Sequence, residues 1–443
     1  MARYRSGKAR KPRKPTTTIR SLPYHLGVKM TAYPSSRQKE IIRQNSDASR
    51  FMYNRLVALG NERWRRTRAL KLLLQISRHI GRSVISNQES YVKRQLQVIA
   101  WLSEQIYNPT RIKEQYKWLD KNRNLDAFVF VRARANYQRA WNRFVKVPEA
   151  RVPNFHKKSM CQSYQTSRIT NRGKTDTVRI IDHNHVRLPK LETIRVQPLP
   201  EWLLDREDIK ISTVSVKRDA AGRYTVGFQL SAPLPFKAAL PKTATAIGID
   251  LNISNFLVDS NGYTIANPKY YDASAQKISL ARRKLHRRAH RAKKEGRALS
   301  TAKNYQRQRQ YLAFLERRVA NQRKNFLHNV SKTLIKSHDL VVAEELRSKL
   351  MMKNHAFALR LADNGWRLFL TFLEYKAQLY GKCFRTVSPY HTSQTCSNCQ
   401  FVMGTLGTSK LTLTDRMWSC PQCGIFHVRD QNAAKNILIR GSD

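Results

Sequence analysis

The chain has 443 residues, with 83 Lys and Arg against 30 Asp and Glu, a formal net charge of +53 and 41% apolar residues. That length and apolar content suit two or three domains, each with its own core. A single-sign charge spread from Arg3 to Arg440 repels itself in a compact state, and a polyanion relieves the repulsion and gains from counterion release. No segment approaches the roughly 20 apolar residues of a spanning helix, which argues against a membrane partner.

The first 15 residues are basic, Pro-punctuated and nearly devoid of apolar side chains, so they are read as a disordered arm that orders on nucleic acid. Thr16 to Tyr33 alternates at period two, which predicts a strand, and Pro34-Ser-Ser-Arg-Gln then reads as a helix start. From about Gln38 to Phe144 the pattern is helical, with basic residues opposite the apolar ones. Tyr137 and Trp141 are expected in its core rather than stacked on bases. From Arg151 to Pro235 the period returns to two, with a hairpin across Asp219 to Gly222, so one β domain is interrupted by a helical one. A linker follows, then a more buried strand from Ala244 to Ile249. Residues 281–326 carry the densest charge, predicting a basic helical hairpin broken near Gly296. Its candidate nucleic-acid contacts are Arg282, Arg283, Lys284, Arg287, Arg288, Arg291, Lys293, Lys294, Arg307 and Arg309.

Acids are scarce, so their positions carry information. Asp250 ends the apolar run from Ala246, and Phe256-Leu-Val-Asp259 leads into the turn pair Asn261-Gly262. Glu344 and Glu345 close the run Leu340-Val-Val-Ala, and Asp430 opens a helical pattern with Ala433, Ala434 and Ile437 on one face. Three carboxylates from two strand ends and a helix start can converge at one sheet edge. Two Mg²⁺ ions held there, about 3.5–4 Å apart, would clamp the attacking and leaving oxygens of a phosphodiester.

Cys396-Ser-Asn-Cys399 and Cys420-Pro-Gln-Cys423 have the spacing of a zinc ribbon holding one structural Zn²⁺ with a closed all-sulfur shell. The module is expected to fix the loop before Asp430 and to present Lys410 and Arg416 to nucleic acid. Cys161 and Cys383 are read as ordinary buried thiols. The opening lacks a signal-peptide core, so a reducing cytoplasm is the expected compartment.

These motifs together resemble the TnpB family, transposon-encoded RNA-guided nucleases and ancestors of small type V CRISPR effectors. The resemblance is carried by Gly248-Ile-Asp250, Asn267-Pro-Lys-Tyr-Tyr271, Val342-Ala-Glu344, Asp363-Asn-Gly-Trp366, Ser388-Pro-Tyr-His-Thr-Ser-Gln394, the two cysteine pairs, and Arg429-Asp430 with Asn432 and Asn436. It covers roughly residues 244–440, and the N-terminal half matches more loosely through Phe51-Met-Tyr-Asn54. It implies an α/β multidomain chain: a wedge β-barrel at 16–34 and 149–240, interrupted by a helical recognition lobe at 35–148. An RNase H-like RuvC nuclease would occupy 241–390 and 427–443, with a zinc-binding target nucleic-acid module at 391–426. It implies Asp250, Glu344 and Asp430 as catalytic acids and Mg²⁺ ligands, and selects Glu344 over Glu345. The implied partners are a guide RNA and double-stranded target DNA with a short flanking motif, bound by a monomer with one RNA in a prokaryotic, nucleoid-associated cytoplasm. A nuclease-inactive guided repressor and a CRISPR-associated effector are the alternatives. Asn252, Gln400 and Val428 depart from the family pattern, where Gly, Gly and Asp are usual.

Overall fold

The computed structural model describes residues 21–80, 89–158, 161–167, 177–345, 363–412 and 414–442. The expected arm at 1–15 lies outside them. The chain divides into two compact units, one up to Leu234 and one from Pro235.

The first unit opens with β1 (Tyr24–Tyr33), whose alternation buries Met30 and Ala32. Helix α1 (Ser36–Ile80) follows. Its start is a capping box: the Ser35 amide donates to Gln38 Oε1 at 3.0 Å, and the Gln38 amide donates to Ser35 Oγ at 3.3 Å. Pro34 therefore lies just before the cap rather than within the first turn. Helices α2 (Glu89–Tyr107), α3 (Pro109–Glu114), α4 (Lys117–Asp120) and α5 (Ala127–Lys146) complete the helical insertion. Asp126 caps α5 by accepting from the Phe128 amide at 3.0 Å. Tyr137 is buried, and its hydroxyl lies over Gly60, where a Cβ would meet it at 2.0 Å. Tyr137 is thus a core residue, as expected.

The strands β2 (Gln162–Ser167), β3 (Arg179–Ile180), β4 (His185–Leu188), β5 (Glu192–Val196), β6 (Lys210–Arg218) and β7 (Tyr224–Ala232) join β1 in one seven-stranded sheet, with helix α6 (Glu201–Leu204) between β5 and β6. The order is β2-β6-β7-β1-β5-β4-β3, with β1 antiparallel to both β5 and β7. One β domain is therefore interrupted by helices. The hairpin between β6 and β7 turns at Asp219 to Gly222. Among the described residues no pairing of β2 with β3 closes the sheet into a ring.

The second unit is built on a five-stranded sheet of order β10-β9-β8-β11-β12. Its strands are β8 (Ala246–Asp250), β9 (Asn255–Asp259), β10 (Thr264–Ala266), β11 (Leu340–Glu344) and β12 (Cys383–Val387). The first three form an antiparallel meander, and β11 is parallel to both β8 and β12. Asn261-Gly262 makes the β9–β10 turn, with Gly262 at φ +90° and Asp259 Oδ1 accepting from the Asn261 and Tyr263 amides at 2.9 Å.

Helices α7 (Tyr270–Lys294) and α8 (Lys303–Ser337) form the basic hairpin, and Gly296 at φ +65° lies in its turn. Ile278, Ala281, Leu315 and Val319 form the seam between them. Helix α9 (Trp366–Tyr380) joins α8 over one face of the sheet. Ile247, Ile249, Val341 and Ala343 point into this layer against Leu327, Leu334, Phe369 and Leu373. Side chains alternate along a strand, so Gly248, Asp250, Val342 and Glu344 belong to the opposite face.

Candidate active site and metal centre

The last helix, α10 (Arg429–Ser442), covers that opposite face. It comes close because two glycines leave room. A Cβ on Gly248 would lie 2.1 Å from the Ala434 carbonyl oxygen, and one on Gly441 would lie 2.3 Å from Val342 Cγ1. Contact at Ala434 fixes the height of the helix, and Asp430 lies one turn earlier. A turn rises about 5.4 Å, close to the two-residue step of about 6.6 Å from Gly248 to Asp250. Asp430 therefore arrives beside Asp250.

Glu344 arrives by register. Ala343 pairs with Ile249 in the parallel ladder, so the next positions, Glu344 and Asp250, end adjacent strands on one face. Glu345 points the other way, is exposed, and spends its amide on the Val387 carbonyl at 2.8 Å.

The electrostatics reflect this convergence. Burial, followed by the charges of Glu344 and Asp430, holds the Asp250 carboxyl well above the usual carboxylate range, with Arg429 partly offsetting them. Burial also raises Glu344, opposed by the Thr392 hydroxyl and then by Arg440. Thr392 Oγ1 donates to Glu344 Oε1. Asn252, one of the departures from the family pattern, donates from Nδ2 to Asp430 Oδ2 at 3.2 Å and accepts from the Asn255 amide at 2.8 Å. Arg416 Nη1 lies 3.6 Å from Asp430 Oδ2.

The cysteines form a second centre. The Sγ atoms of Cys396, Cys399, Cys420 and Cys423 all lie within 4.8 Å of one another. Zn–S bonds of about 2.3 Å in a tetrahedron put sulfurs about 3.8 Å apart. The Cys396–Cys423 and Cys399–Cys420 pairs, at 3.7 and 3.6 Å, fit that cage. His427 Nε2 lies 3.1 Å from Cys396 Sγ. Burial lowers the His427 pKa and favours the neutral ring, whose N–H can donate to a thiolate. The Ile425 amide lowers the Cys423 thiol, whereas burial raises the Cys396 thiol. His427 lies on β14 (Phe426–Val428), paired with β13 (Met417–Ser419). Val428, another departure from the family pattern, is exposed at the end of β14.

The two knuckles differ in one residue. Gly424 at φ +71° donates its amide to the Cys420 carbonyl at 2.8 Å, and Gln400 at φ +63° does the same to Cys396 at 3.0 Å. A left-handed non-glycine costs about 1–2 kcal/mol, whereas glycine costs about 0.5–1 kcal/mol in lost chain entropy. Gln400→Gly is therefore expected to stabilise the module by roughly 0.5–1 kcal/mol. Resistance of its zinc to a competing chelator, compared with the parent chain, measures the gain.

Of the candidate nucleic-acid contacts, Arg283, Lys284, Arg287, Lys293, Lys294 and Arg307 are exposed on the helical hairpin. Arg282 and Arg291 are also exposed, but they pair with Glu316 at 2.9 Å and Glu295 at 3.2 Å. Arg309 is half-buried, and so is Arg288, which donates to the Asn304 carbonyl at 2.8 Å. The turn of the hairpin borders an open cleft of about 720 Å³ lined by Arg288, Arg291, Arg297, Lys303 and Arg307. Cys161 and Cys383 are exposed, correcting their reading as buried thiols. Cys383 opens β12 and Cys161 directly precedes β2, and strand ends leave side chains in solvent.

Thr392, Asn432 and Asn436 stood in the sequence only as motif positions, with no role attached to them. Asn432 and Asn436 lie four apart on one face of α10 and reach the first knuckle. The Ser397 amide donates to Asn432 Oδ1 at 2.9 Å, and Asn432 Nδ2 donates to the Thr395 carbonyl at 2.7 Å. Asn436 Nδ2 donates to the Thr392 and Thr395 carbonyls at 2.9 and 2.6 Å. The available signal was two amides at i, i+4 on the face otherwise occupied by Ala433 and Ile437.

Comparison with known proteins places this chain among recognisable relatives. A family model described as "Probable transposase" matches residues 217–355, and a Cas12f1-like TNB domain model matches 366–437. A model described as a helix-turn-helix domain matches 24–69, which here form one strand and the start of a single continuous helix. A candidate RNA-guided DNA endonuclease of Streptomyces pristinaespiralis is 32% identical over 246 residues, 55% of each chain. The candidate RNA-guided DNA endonuclease InsQ of Escherichia coli K12 is 22% identical, over 62% of this chain and 68% of its own. The TnpB-like protein L79 of Acanthamoeba polyphaga mimivirus is 33% identical over 128 residues, 28% of this chain and 23% of its own. The match to the Streptomyces relative thus spans about half of that protein. In solved structures, the protein of a Cas12f1–sgRNA–target DNA complex superposes with a TM-score of 0.52 at 16% identity, covering 94% of this chain and 98% of its own. That likeness supports the α/β multidomain fold.

Proposed function

We propose that this chain, whose family-model matches and relatives are those of the TnpB family, is an RNA-guided DNA endonuclease hydrolysing phosphodiesters at Asp250, Glu344 and Asp430. The observation that carries this reading is the convergence of three carboxylates, from β8, β11 and α10, in a chain of net charge +53. Mutual repulsion makes such a cluster costly unless cations occupy it. The antiparallel β8–β10 meander followed by parallel β11 and β12 supports an RNase H-like, RuvC-type reading of 241–390 and 427–443.

Asp250, Glu344 and Asp430 would hold Mg²⁺, a hard cation that prefers oxygen donors and supplies Lewis-acid stabilisation to the oxygens of the scissile phosphate. The chain's own residues set the geometry. Asn252 and Thr392 orient two of the carboxylates, and α10 excludes solvent from one side. The exposed cations of the α7–α8 hairpin would hold a nucleic-acid backbone without reading bases. Base pairing with a guide RNA would supply sequence recognition, and the protein would read a short flanking motif. The relatives, among them an RNA-guided DNA endonuclease by name and the protein of an sgRNA–target DNA complex, support a guide RNA and a DNA target as partners. We assign 16–34 and 149–240 to a wedge domain, 35–148 to a recognition lobe and 391–426 to a target nucleic-acid module. One chain with one RNA is the expected assembly, acting in a prokaryotic cytoplasm.

The test is cleavage of a plasmid library, carrying a guide-matched target beside randomised bases, by protein co-expressed with its native flanking DNA. The expected result is Mg²⁺-dependent double-strand cuts beside one enriched motif. Asp250→Ala is expected to lower the rate roughly 10²–10³-fold or more while leaving RNA retention and target binding unchanged. Motif-dependent binding without cleavage by the parent chain would instead establish a guided repressor.

A further inference from the structure

Glu344 needs a restraint that its strand does not supply. It is the last residue of β11, its carboxylate is half-buried, and Asp250 and Asp430 lie on the same side. Like charges push one another apart, and a glutamate side chain has enough torsions to swing away. The hydrogen-bond partner the structure gives it is the Thr392 hydroxyl. That hydroxyl has one proton to donate. The Pro389 carbonyl, at 3.4 Å, is the weaker competitor for it, and the nearer charged oxygen of Glu344 takes it.

Thr392 is itself held from the other side. It is 3% exposed, and its carbonyl accepts from Asn436 Nδ2 at 2.9 Å. Asn436 Nδ2 also donates to the Thr395 carbonyl at 2.6 Å, while Asn436 Oδ1 is buried with no partner among the described residues. An amide kept in place with its acceptor unused serves through its two N–H groups. Asn436 lies on α10, the helix that begins at Asp430. The path from Glu344 through Thr392 to Asn436 therefore ends on the element that carries the third acid.

We propose that Thr392 is a positioning residue for Glu344. Braced by Asn436, it fixes the separation of Glu344 and Asp430 by referring both to α10. This rests on the proposed nuclease reading, and it makes the turn before the first cysteine knuckle part of the carboxylate centre. Thr392 is not expected to touch substrate.

The experiment compares Thr392→Val, which keeps the shape and removes the hydroxyl, with Thr392→Ser, which keeps the hydroxyl. Single-turnover cleavage by the RNA-bound protein is expected to fall on the order of 10–100-fold in Thr392→Val, with target affinity, zinc content and melting temperature unchanged. Thr392→Ser is expected to recover most of the rate. In parallel, Mn²⁺ binding to the RNA-free protein, followed by electron paramagnetic resonance, should weaken in Thr392→Val and recover in Thr392→Ser. Cleavage by Thr392→Val at the parent rate would overturn the proposal, and so would equal impairment of both variants. Loss of zinc or a lowered melting temperature in Thr392→Val would reduce the residue to packing. If the parent chain does not cleave at all, the nuclease reading fails, and the Mn²⁺ arm still decides whether Thr392 orders the carboxylates.

Discussion

Gly248→Ala is expected to lower cleavage on the order of 10²-fold or more while leaving the zinc module loaded. The added methyl would sit 2.1 Å from the Ala434 carbonyl oxygen and 2.8 Å from Leu438 Cβ. Backbone on one side and a buried strand on the other leave neither group free to step aside. The helix must lift, and overpacking of this kind costs about 1–3 kcal/mol of stability. The larger consequence is positional. Asp430 rides on the same helix, and a displacement of about 1 Å at a reacting centre is enough for a loss of about 10²-fold. Gly27→Ala is the control, because a Cβ there meets nothing within 4 Å. Thermal unfolding and cleavage measured on both variants separate a general glycine effect from this one. A Gly248→Ala protein that cleaves normally would show that α10 does not set the height of Asp430.

Removing the zinc should have an effect of similar size by another route. Elemental analysis is expected to find one zinc per chain, and Cys420→Ser or prolonged strong chelation should abolish both metal and cleavage. Structural zinc contributes about 10–16 kcal/mol to modules of this kind, far more than a small two-stranded sheet can replace. The loss would spread into α10. Asn432 and Asn436 satisfy their amides on Thr392, Thr395 and Ser397, the residues that enter the first knuckle. Once the knuckle loosens, those buried amides lose their partners at about 1–3 kcal/mol each. Cleavage and zinc content should therefore fall together during chelation, while the first unit keeps its folded signature. Retained cleavage in zinc-free protein would rule this coupling out.

Much of this organisation was legible in the sequence, for physical reasons. Period-two alternation marked β1 and the β6–β7 hairpin because one face of each is buried. The acids stood out because a basic chain has few of them and each closed an apolar run. The cysteine spacing is specific because two tight knuckles leave little freedom in how four thiolates approach one ion. The close approach at Gly248 was not legible, since nothing local distinguishes a glycine that admits a helix from one that merely bends a strand. The hydroxyl of Thr392 was likewise unreadable, because its partner is 48 residues away. The exposure of Cys161 and Cys383 escaped because composition favours buried thiols, whereas position at a strand end decides the matter. Asn252 was recognised only as a departure from a pattern. Its bond to Asp430 shows that the side chain has work that glycine could not perform.

The dependence of the carboxylate centre on α10 also has a meaning in time. About 180 residues separate Asp250 from Asp430, and at about 5–20 residues per second a ribosome needs roughly 10–40 s to make that stretch. The basic hairpin and the first acid are both made before α10, and on the proposed reading the hairpin could hold RNA while the rest of the chain follows. A nuclease of the proposed kind would lack its third carboxylate until α10 is released and settles against Gly248. On the proposed nuclease reading, a polypeptide interrupted anywhere before that point would bind without cutting, and the order of the elements would delay cleavage until that helix is made.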